Sequence, residues 1–432
     1  MIHRYQKKGL NFVLDVNSGA VHLLDDISYA VSGLLDENMG DTCPQSIIDA
    51  LPDYTADEIR EAYDELYELK KAGQLFAQDD YIDVSRYIPV NAPVKALCLH
   101  VAHDCNLRCK YCFASTGDFG QGRKIMPPEI AKKAIDFVIA RSGVRHNIEV
   151  DFFGGEPLMA WDTVTQTVDY ARSLEEKYNK KFRFTITTNG LLLDEDKRKY
   201  INENMDNCVL SLDGRREVND EFRKTVAGTG SYDTIVPKFK ALVDERDPNL
   251  DYYARGTFTS HNLDFAEDVL SIADAGFDRL SVEPVTADPG CGYDLTEDDL
   301  PKIEAEYDRL TDIMLERKKE GKPFTFFHFM VDLDQGPCVV KRLRGCGAGY
   351  EYVAVTPDGD IYPCHQFVGK DEFKQGSVLD QSFNMDIAQK FAGMNIYSRP
   401  KCQKCWAKFY CSGGCSAANY NICLLYTSDA AD

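Results

Sequence analysis

Three closely spaced cysteines are the residues of this sequence best suited to chemistry. Cys105, Cys109 and Cys112 stand in the pattern C-x3-C-x2-C, directly after an apolar run. A cubic iron–sulfur cluster normally takes four cysteines, so three thiolates leave one iron open. An open metal position is what a site needs in order to bind and change a small molecule. The alternative is that cysteines spaced i, i+4 and i+7 line the buried face of a helix. The polar residues between them favour a loop that follows a strand.

The elements around this loop alternate between strand-like and helix-like stretches. Such alternation is typical of parallel strands joined by right-handed crossovers. A closed barrel needs eight units, so six units predict an open, partial (β/α)6 barrel of α/β class. The predicted strands are 95–102, 147–153, 181–187, 207–212, 252–258 and 278–283, and the predicted helices are 127–142, 160–178, 193–203, 232–244, 263–274 and 297–318.

Polar residues follow several of these strands, where parallel α/β folds bind their ligands. Gly154, Gly155 and Glu156 follow the second strand. The glycines let a backbone approach a ligand closely, and the carboxylate can accept a hydrogen bond from an ammonium group. Ser211 lies at the end of the fourth strand, and Arg223, which follows it, can pair with a carboxylate through two parallel hydrogen bonds. The plain alternatives are a common turn and, for Arg223, a surface salt bridge.

Weaker candidates lie on the other strands. Residues 187–190, after the third strand, are expected to form a turn that faces the same site. Arg255 lies on the fifth strand, and Glu283 ends the sixth. Glu283 is equally suited to a structural polar network inside the mouth of the barrel.

The first 80 residues predict a small unit of a different kind, three strands followed by three helices. A short return strand is also predicted at 75–76, and a stretch with two prolines at 81–94 resembles a linker. The predicted strands are 2–6, 10–15 and 19–23, and the predicted helices run from residue 26 to about 35, over 44–51 and over 55–72.

Six more cysteines stand in regular spacings near the other end of the chain. Two are joined by C-x12-G-x4-C and four by C-x2-C-x5-C-x3-C; they are Cys346, Cys364, Cys402, Cys405, Cys411 and Cys415. Cysteines in paired spacings, in a chain without an apparent export signal, indicate metal rather than disulfides. Tetrahedral zinc is the alternative to iron and sulfur. The cysteines without partner spacing are expected to be plain thiols, namely Cys43, Cys98, Cys208 and Cys291.

The composition and net charge of the chain disfavour some classes of function. The chain has 432 residues and a net charge of −21, which disfavours nucleic acid because phosphates would be repelled. The acidity could attract a basic peptide or serve only solubility. No apolar stretch is long enough to span a membrane, and the N-terminus lacks the apolar core of a signal peptide. We therefore expect a cytoplasmic protein.

The first cysteine motif, with Tyr111 before its last cysteine, resembles the signature of the radical S-adenosylmethionine enzymes, and the later cysteines resemble their SPASM subgroup. Up to about Asn421 the chain is similar to maturases of six-cysteines-in-forty-five-residues peptides, which make thioether cross-links. The resemblance implies S-adenosylmethionine and a [4Fe–4S] cluster at the first motif. It also implies that the Gly-Gly-Glu motif holds the amino group, Ser211 the ribose and Arg223 the carboxylate of S-adenosylmethionine.

The resemblance further implies two auxiliary [4Fe–4S] clusters. Cys346, Cys364 and Cys415 would hold the first, and Cys402, Cys405 and Cys411 the second. Cys338 would complete the first cluster, or that iron would stay open for a substrate thiol. His365 is either a ligand or a hydrogen-bonded neighbour. The family pattern places one more cysteine well beyond Cys415, whereas here Cys423 begins a tail that resembles translated adaptor or frame-shifted DNA. We expect that the natural sequence is lost from about residue 422.

The domain organisation that follows from the resemblance is a winged-helix-like leader-peptide recognition element at 1–80, a linker at 81–94, a radical SAM barrel at 95–320, a SPASM domain at 321–421 and a non-native tail at 422–432. Such recognition elements capture a leader by adding it as a strand to a sheet edge. DNA binding by this unit is disfavoured because its helices are acidic. A purely structural cap is the other alternative.

The implied function is installation of thioether cross-links, from a cysteine sulfur to carbon, in a ribosomally made peptide. The implied partners are a cysteine-rich precursor peptide with its leader and an electron donor such as ferredoxin or flavodoxin. Neither nucleic acid nor a membrane is expected as a partner. Two rival functions remain open. One is an anaerobic sulfatase maturase, which generates formylglycine. The other is a non-enzymatic metal-binding protein, which would have no need of polar residues at the strand ends.

Overall fold

The structure, a computed structural model, describes residues 1–84, 92–331 and 339–423. Residues 85–91 of the predicted linker, Cys338 and residues 424–432 of the predicted tail lie outside this part of the chain. Among the described residues, no helix has the combination of length and apolar character that crossing a bilayer requires.

The N-terminal unit is a three-stranded antiparallel sheet with three helices packed on it. Its strands are β1 (Ile2–Lys7), β2 (Leu10–Asp15) and β3 (Val21–Leu24), in the order β1-β2-β3. Its helices are α1 (Asp26–Ser32), α2 (Gln45–Ala50) and α3 (Ala56–Lys71).

Helix α3 shows why this unit folds as its sequence predicts. A capping box forms at its start, where the Thr55 side chain accepts a hydrogen bond from the backbone N–H of Glu58 and the Glu58 side chain accepts one from the Thr55 backbone. Its apolar face is buried at Ile59 and Leu66. The predicted strand at 75–76 is wrong, because Phe76 has a φ of +53°, which ends any extended run.

The central segment contains strands and helices in alternation. The strands are β4 (Ala96–His103), β5 (Leu107–Cys109), β6 (Lys124–Ile125), β7 (Asn147–Gly154), β8 (Lys181–Thr188), β9 (Asn207–Ser211), β10 (Arg223–Thr225), β11 (Asp251–Phe258), β12 (Arg279–Pro284) and β13 (Thr325–Phe326). The helices are α4 (Pro128–Arg141), α5 (Trp161–Tyr178), α6 (Glu195–Asn204), α7 (Arg216–Phe222), α8 (Tyr232–Asp244), α9 (Phe265–Asp274) and α10 (Leu300–Lys319).

The C-terminal segment consists of short elements. Its strands are β14 (Tyr352–Val355), β15 (Asp360–Tyr362), β16 (Gly376–Ser377) and β17 (Ser382–Phe383). Its helices are α11 (Val339–Arg344), α12 (Met385–Gly393), α13 (Pro400–Gln403), α14 (Lys408–Cys411) and α15 (Ser416–Cys423).

All six predicted barrel strands are present and parallel, in the order β12-β11-β9-β8-β7-β4. Two short strands that the sequence did not predict extend this sheet. β13 pairs in parallel with β12, and β14 pairs in parallel with β4. No pairing joins β13 to β14 within the described part of the chain, so the barrel stays open on that side. The strand residues that alternate outward, such as Leu97 and Phe152, are fully buried under the helices.

One buried carboxylate fastens the cysteine-rich segment to the barrel. Glu351, just before β14, pairs with Lys95 at 2.8 Å, with Arg145 at 3.3 Å and with Arg344 at 2.9 Å. Burying a charge in this way is tolerable only because three cations face it. Since β14 also belongs to the barrel sheet, the two segments form one continuous structure.

The N-terminal unit contacts both other segments. Lys7 and Lys8 form ion pairs with Asp308 and Asp312 of α10, at 2.7 and 2.6 Å. The His3 ring stacks on Trp406 with a centroid distance of 4.2 Å. The strand unit therefore lies against the barrel and against the cysteine-rich segment.

Candidate active site

A cavity of about 840 Å³ opens at the C-terminal ends of the barrel strands. The structure brings together in its wall all the residues predicted for the cofactor site, namely Cys105, Cys109, Tyr111, Cys112, Gly154, Gly155, Glu156, Ser211 and Arg223. These residues come from four loops spread over more than a hundred positions. Their placement is a fact of the structure, whereas their individual roles stay predictions.

The cysteine loop contains a short strand that the sequence did not predict. β5 pairs antiparallel with β10, which places Cys109 opposite Arg223. A turn follows, in which the backbone N–H of Cys112 donates to the Cys109 carbonyl at 3.2 Å. The three cysteines therefore do not form one face of a helix.

The buried surroundings of these three thiols are suited to binding an iron–sulfur cluster. Burial raises the pKa of Cys105 to about 12 and that of Cys109 to about 11, and it also raises the pKa of Cys112. Arg223 counteracts this effect at Cys109. Thiols in such surroundings need a positive charge to ionise, and bound iron supplies it. Three thiols that face one cavity fit a cluster held by three cysteines.

The two glycines are required for a second reason, which the sequence did not predict. A Cβ atom on Gly155 would lie 2.1 Å from the backbone oxygen of Asp104, and one on Gly154 would lie 2.2 Å from that of Ala102. The glycines thus let the end of β7 pass close to the chain that enters the cysteine loop. They position the loop and also line the cavity.

Glu156 is bonded within the protein. Its buried carboxylate accepts hydrogen bonds from the Thr188 hydroxyl at 2.7 Å and from the backbone N–H groups of Asn189 and Leu158 at 2.7 and 3.0 Å. These donors occupy three of about four acceptor positions of a carboxylate. The Asn189 amide in turn donates to Asn106 at 2.8 Å. Glu156 therefore ties the ends of β7 and β8 to the cysteine loop, and its contact with an ammonium group stays a prediction.

Arg223 belongs to a buried polar triad. Its Nη1 donates to the Tyr111 hydroxyl at 3.0 Å, and that hydroxyl donates to Asp213 at 2.6 Å. Arg223 is only 7% exposed, which rules out the surface salt bridge. Its Nε is buried and has no hydrogen-bond partner within the described residues. A guanidinium N–H left unpaired beside the cavity fits a ligand carboxylate.

Asp213 and Asn189 are positioning residues that sequence reasoning missed. Both lie in turns that follow barrel strands. The sequence predicts a site-facing turn at 187–190 without a role for Asn189, and it predicts nothing for Asp213. A buried carboxylate or amide at a strand end is the signal that could have identified them.

Ser211 and the weaker candidates line the same cavity. Ser211 lies beside Arg255 in the parallel register of β9 and β11. Glu283 accepts a hydrogen bond from Ser281 and pairs with His328 at 2.9 Å. The nitrogen on the other side of the His328 ring lies 2.7 Å from the Tyr307 hydroxyl. Glu283 thus belongs to the structural polar network foreseen as its alternative, while also facing the cavity.

The C-terminal cysteines fall into the two predicted groups. Burial and, to a smaller extent, the neighbouring thiols of Cys415 and Cys346 raise the pKa of Cys364 to about 12. Burial likewise raises the pKa of Cys402, and the neighbouring thiols of Cys411 and Cys405 also raise it. These three cysteines therefore form the second group. The first group thus joins cysteines that are distant in the chain, whereas the second lies within ten consecutive positions. Their role as ligands stays a prediction, and Cys338 lies outside the described residues.

His365 lies between the two cysteine regions. Its Nδ1 is 3.3 Å from the Tyr352 hydroxyl, and burial lowers its pKa to about 4. Its ring contacts Phe113 at a centroid distance of 5.3 Å. This arrangement agrees with the hydrogen-bonded neighbour that the sequence favoured.

Comparison with known proteins agrees with these observations. The family model of the radical SAM superfamily matches residues 99–253, and that of the SPASM iron–sulfur cluster-binding domain matches residues 346–406. A cysteine-type anaerobic sulfatase-maturating enzyme of Clostridium novyi (strain NT) is 25% identical over 334 residues, which are 72% of this chain and 85% of that protein.

Two solved structures share the fold. The structure of anSMEcpe with bound AdoMet superposes with a TM-score of 0.63 and 22% identity, covering 75% of this chain and 90% of that one. Streptococcus suis SuiB bound to precursor peptide SuiA superposes with a TM-score of 0.53 and 17% identity, covering 97% and 95%. The chain therefore contains a radical SAM domain and a SPASM domain, whose cofactors are S-adenosylmethionine with a [4Fe–4S] cluster for the first and auxiliary iron–sulfur clusters for the second.

Proposed function

We propose that this enzyme installs thioether cross-links in a ribosomally made, cysteine-rich peptide. The observation that carries the proposal is the combination of a cavity of about 840 Å³ with the N-terminal three-stranded unit. A barrel that is open between β13 and β14 can admit a peptide, and a small sheet with free edges can hold its leader.

Arg223 and the Gly-Gly-Glu motif orient S-adenosylmethionine in this proposal. Arg223 offers an unpaired Nε to the methionine carboxylate, and Ser211 contacts the ribose. Glu156 holds Asn189 against the cysteine loop, which fixes the distance between the three thiolates and the cofactor. When bound, the cluster and S-adenosylmethionine supply a 5′-deoxyadenosyl radical that removes a hydrogen atom from the peptide.

The walls of the cavity must protect a reactive centre from water. Phe113, Phe153 and Val209 supply apolar surface around the thiols, and shielding of this kind prevents side reactions. Cross-linking removes two hydrogen atoms from the peptide for each thioether. One would leave with deoxyadenosine. The other would leave as a proton, which solvent would take up, and an electron, which the auxiliary cluster held by the first cysteine group would accept.

Strand β3 is the proposed docking edge for the leader. It is an edge strand of the sheet, and Leu23 on it is 61% exposed. An added strand would satisfy the free backbone groups of β3 and cover this leucine. SuiB, which has been solved with a precursor peptide, matches nearly the whole chain and not only the barrel.

The test is anaerobic incubation of the reconstituted enzyme with S-adenosylmethionine, a reductant and a cysteine-rich precursor peptide. We expect the peptide to lose two hydrogen atoms for each deoxyadenosine formed, and the cysteine thiols to become unreactive to alkylation. The Cys109→Ala variant should form no deoxyadenosine. If deoxyadenosine forms and the peptide stays unchanged, the result would contradict the proposal that cysteine-rich peptides are the substrates.

Formylglycine formation is the second candidate, because the Clostridium novyi relative is described as a sulfatase-maturating enzyme. The two reactions are distinguishable by mass, since formylglycine formation from cysteine releases the sulfur and thioether formation retains it. A sulfatase-derived peptide should therefore be unchanged by this enzyme.

A further inference from the structure

The region around the second cysteine group carries a charge opposite to that of the whole chain. The net charge of the chain is −21, yet residues 387–421 contain five lysine or arginine residues and neither aspartate nor glutamate. One of the five, Lys408, is buried and paired with Asp79 at 2.6 Å. Lys401 and Lys404 are exposed, and no ion pair involves either of them within the described residues. Positive charge is therefore concentrated at this surface.

These cations lie beside the second cysteine group. Lys401 precedes Cys402, and Lys404 precedes Cys405. Arg399 lies three positions before Cys402, and its guanidinium donates a hydrogen bond to the backbone oxygen of Gly413. Cys411 of this group is exposed, and Cys402 and Cys405 are partly exposed. The second group therefore reaches the surface that carries these cations.

The N-terminal unit extends the same surface. Lys404 lines a cavity of about 750 Å³ together with Lys70 of α3. The Lys70 ammonium donates to the backbone oxygens of Glu37 and Met39, which leaves its charge without a carboxylate. Glu37 and Asp79 also line this cavity, but Asp79 is neutralised by Lys408. We call Lys70, Arg399, Lys401 and Lys404 the basic patch.

We propose that the basic patch docks an acidic one-electron donor protein, which reduces the cluster held by Cys402, Cys405 and Cys411. The donor is oxidised by one electron and the cluster is reduced by one electron, with no bond made or broken. An acidic protein is repelled by the rest of this chain and attracted here, so charge both orients the encounter and increases its rate. The inference deepens the proposed function by giving the position at which electrons enter.

The experiment compares two double variants of the reconstituted holoenzyme with the same change in charge. Lys401→Glu with Lys404→Glu reverses the patch, and Lys319→Glu with Lys322→Glu reverses two exposed lysines of equal spacing at the end of α10. The measured quantity is the rate constant for reduction of the oxidised enzyme by a reduced two-cluster ferredoxin, at low and high salt. Titanium(III) citrate serves as a reductant that does not need to dock.

We expect the patch variant to be reduced about tenfold more slowly at low salt, with the difference disappearing at about 0.5 M salt. The control variant, and a Lys401→Arg with Lys404→Arg variant, should match the wild type. Reduction by titanium(III) citrate and the iron content should be unchanged in all of them.

An equal loss in both Glu variants would overturn the proposal, as would a loss that titanium(III) citrate also shows. A wild-type enzyme that the ferredoxin cannot reduce would overturn it too. If the patch variant instead loses affinity for the precursor peptide, the patch binds the leader. If the enzyme does not cross-link the peptide with titanium(III) citrate as the reductant, that result would contradict the proposed function and not the docking of the electron donor.

Discussion

Cys109 and Arg223 face each other across the two-stranded sheet of β5 and β10. One residue belongs to the predicted cluster motif, and the other is the predicted carboxylate ligand of S-adenosylmethionine. A shared backbone register therefore fixes the separation between the cluster and the methionine end of the cofactor. Such precision is what a reaction between two bound groups requires.

Replacing Arg223 by lysine should weaken the binding of S-adenosylmethionine about tenfold, because an ammonium cannot pair with a carboxylate through two parallel hydrogen bonds. The iron content should not change. The dissociation constant can be measured by anaerobic equilibrium dialysis. Tyr111→Phe is the matched control, since it removes the hydrogen bond to Arg223 and keeps the guanidinium. Unchanged affinity in Arg223→Lys would contradict the assignment.

The cysteine groups and the six long strands could be predicted because each leaves a local pattern. Spacing identifies the cysteines, and alternation with helices identifies β4, β7, β8, β9, β11 and β12. Pairing of β5 with β10 could not be predicted, because three-residue strands more than a hundred positions apart leave no periodicity. Addition of β14 to β4 escaped prediction for the same reason. The close approach of Gly155 to Asp104 could not be predicted, because the sequence does not reveal which residues lie against each other at the end of β7.

Replacing Cys402 by serine should remove one auxiliary cluster, about four iron atoms per chain, and leave the others in place. The two predicted groups share no cysteine, so loss of one cluster should not empty the other. The measurement is iron and sulfide content together with the visible absorption of the anaerobic protein. Cys291→Ser is the control, because Cys291 is an exposed thiol outside both groups. Loss of all iron in Cys402→Ser would argue that the groups are not independent.

Leu23→Glu should weaken the binding of the precursor peptide about tenfold, because it places a charge on the proposed docking edge of β3. Cleavage of S-adenosylmethionine without peptide should continue at the wild-type rate. Leu10→Glu is the control, since Leu10 is also exposed, at 46%, but lies at the start of β2. Fluorescence anisotropy of a labelled peptide gives both affinities. Equal losses in the two variants would show that β3 has no special role.

Asp151 gives the enzyme a predictable dependence of stability on pH. Burial inside the barrel and the nearby Glu149 raise the pKa of Asp151 from 3.8 to about 6. The folded protein therefore binds this proton more tightly than the unfolded chain does, and stability falls as pH rises through this range. A shift of about two units corresponds to about 3 kcal/mol at pH 8 and to about half of that at pH 5.

Asp151→Asn should therefore raise the urea midpoint of the anaerobic holoenzyme at pH 8, and raise it less at pH 5. The amide has nearly the same shape and carries no charge, so the comparison isolates the cost of the buried carboxylate. Asp196→Asn, an exposed change on α6, should leave the midpoint unchanged at both pH values. An Asp151→Asn variant that is destabilised at pH 8 would mean that the carboxylate makes an interaction in the barrel that outweighs its burial.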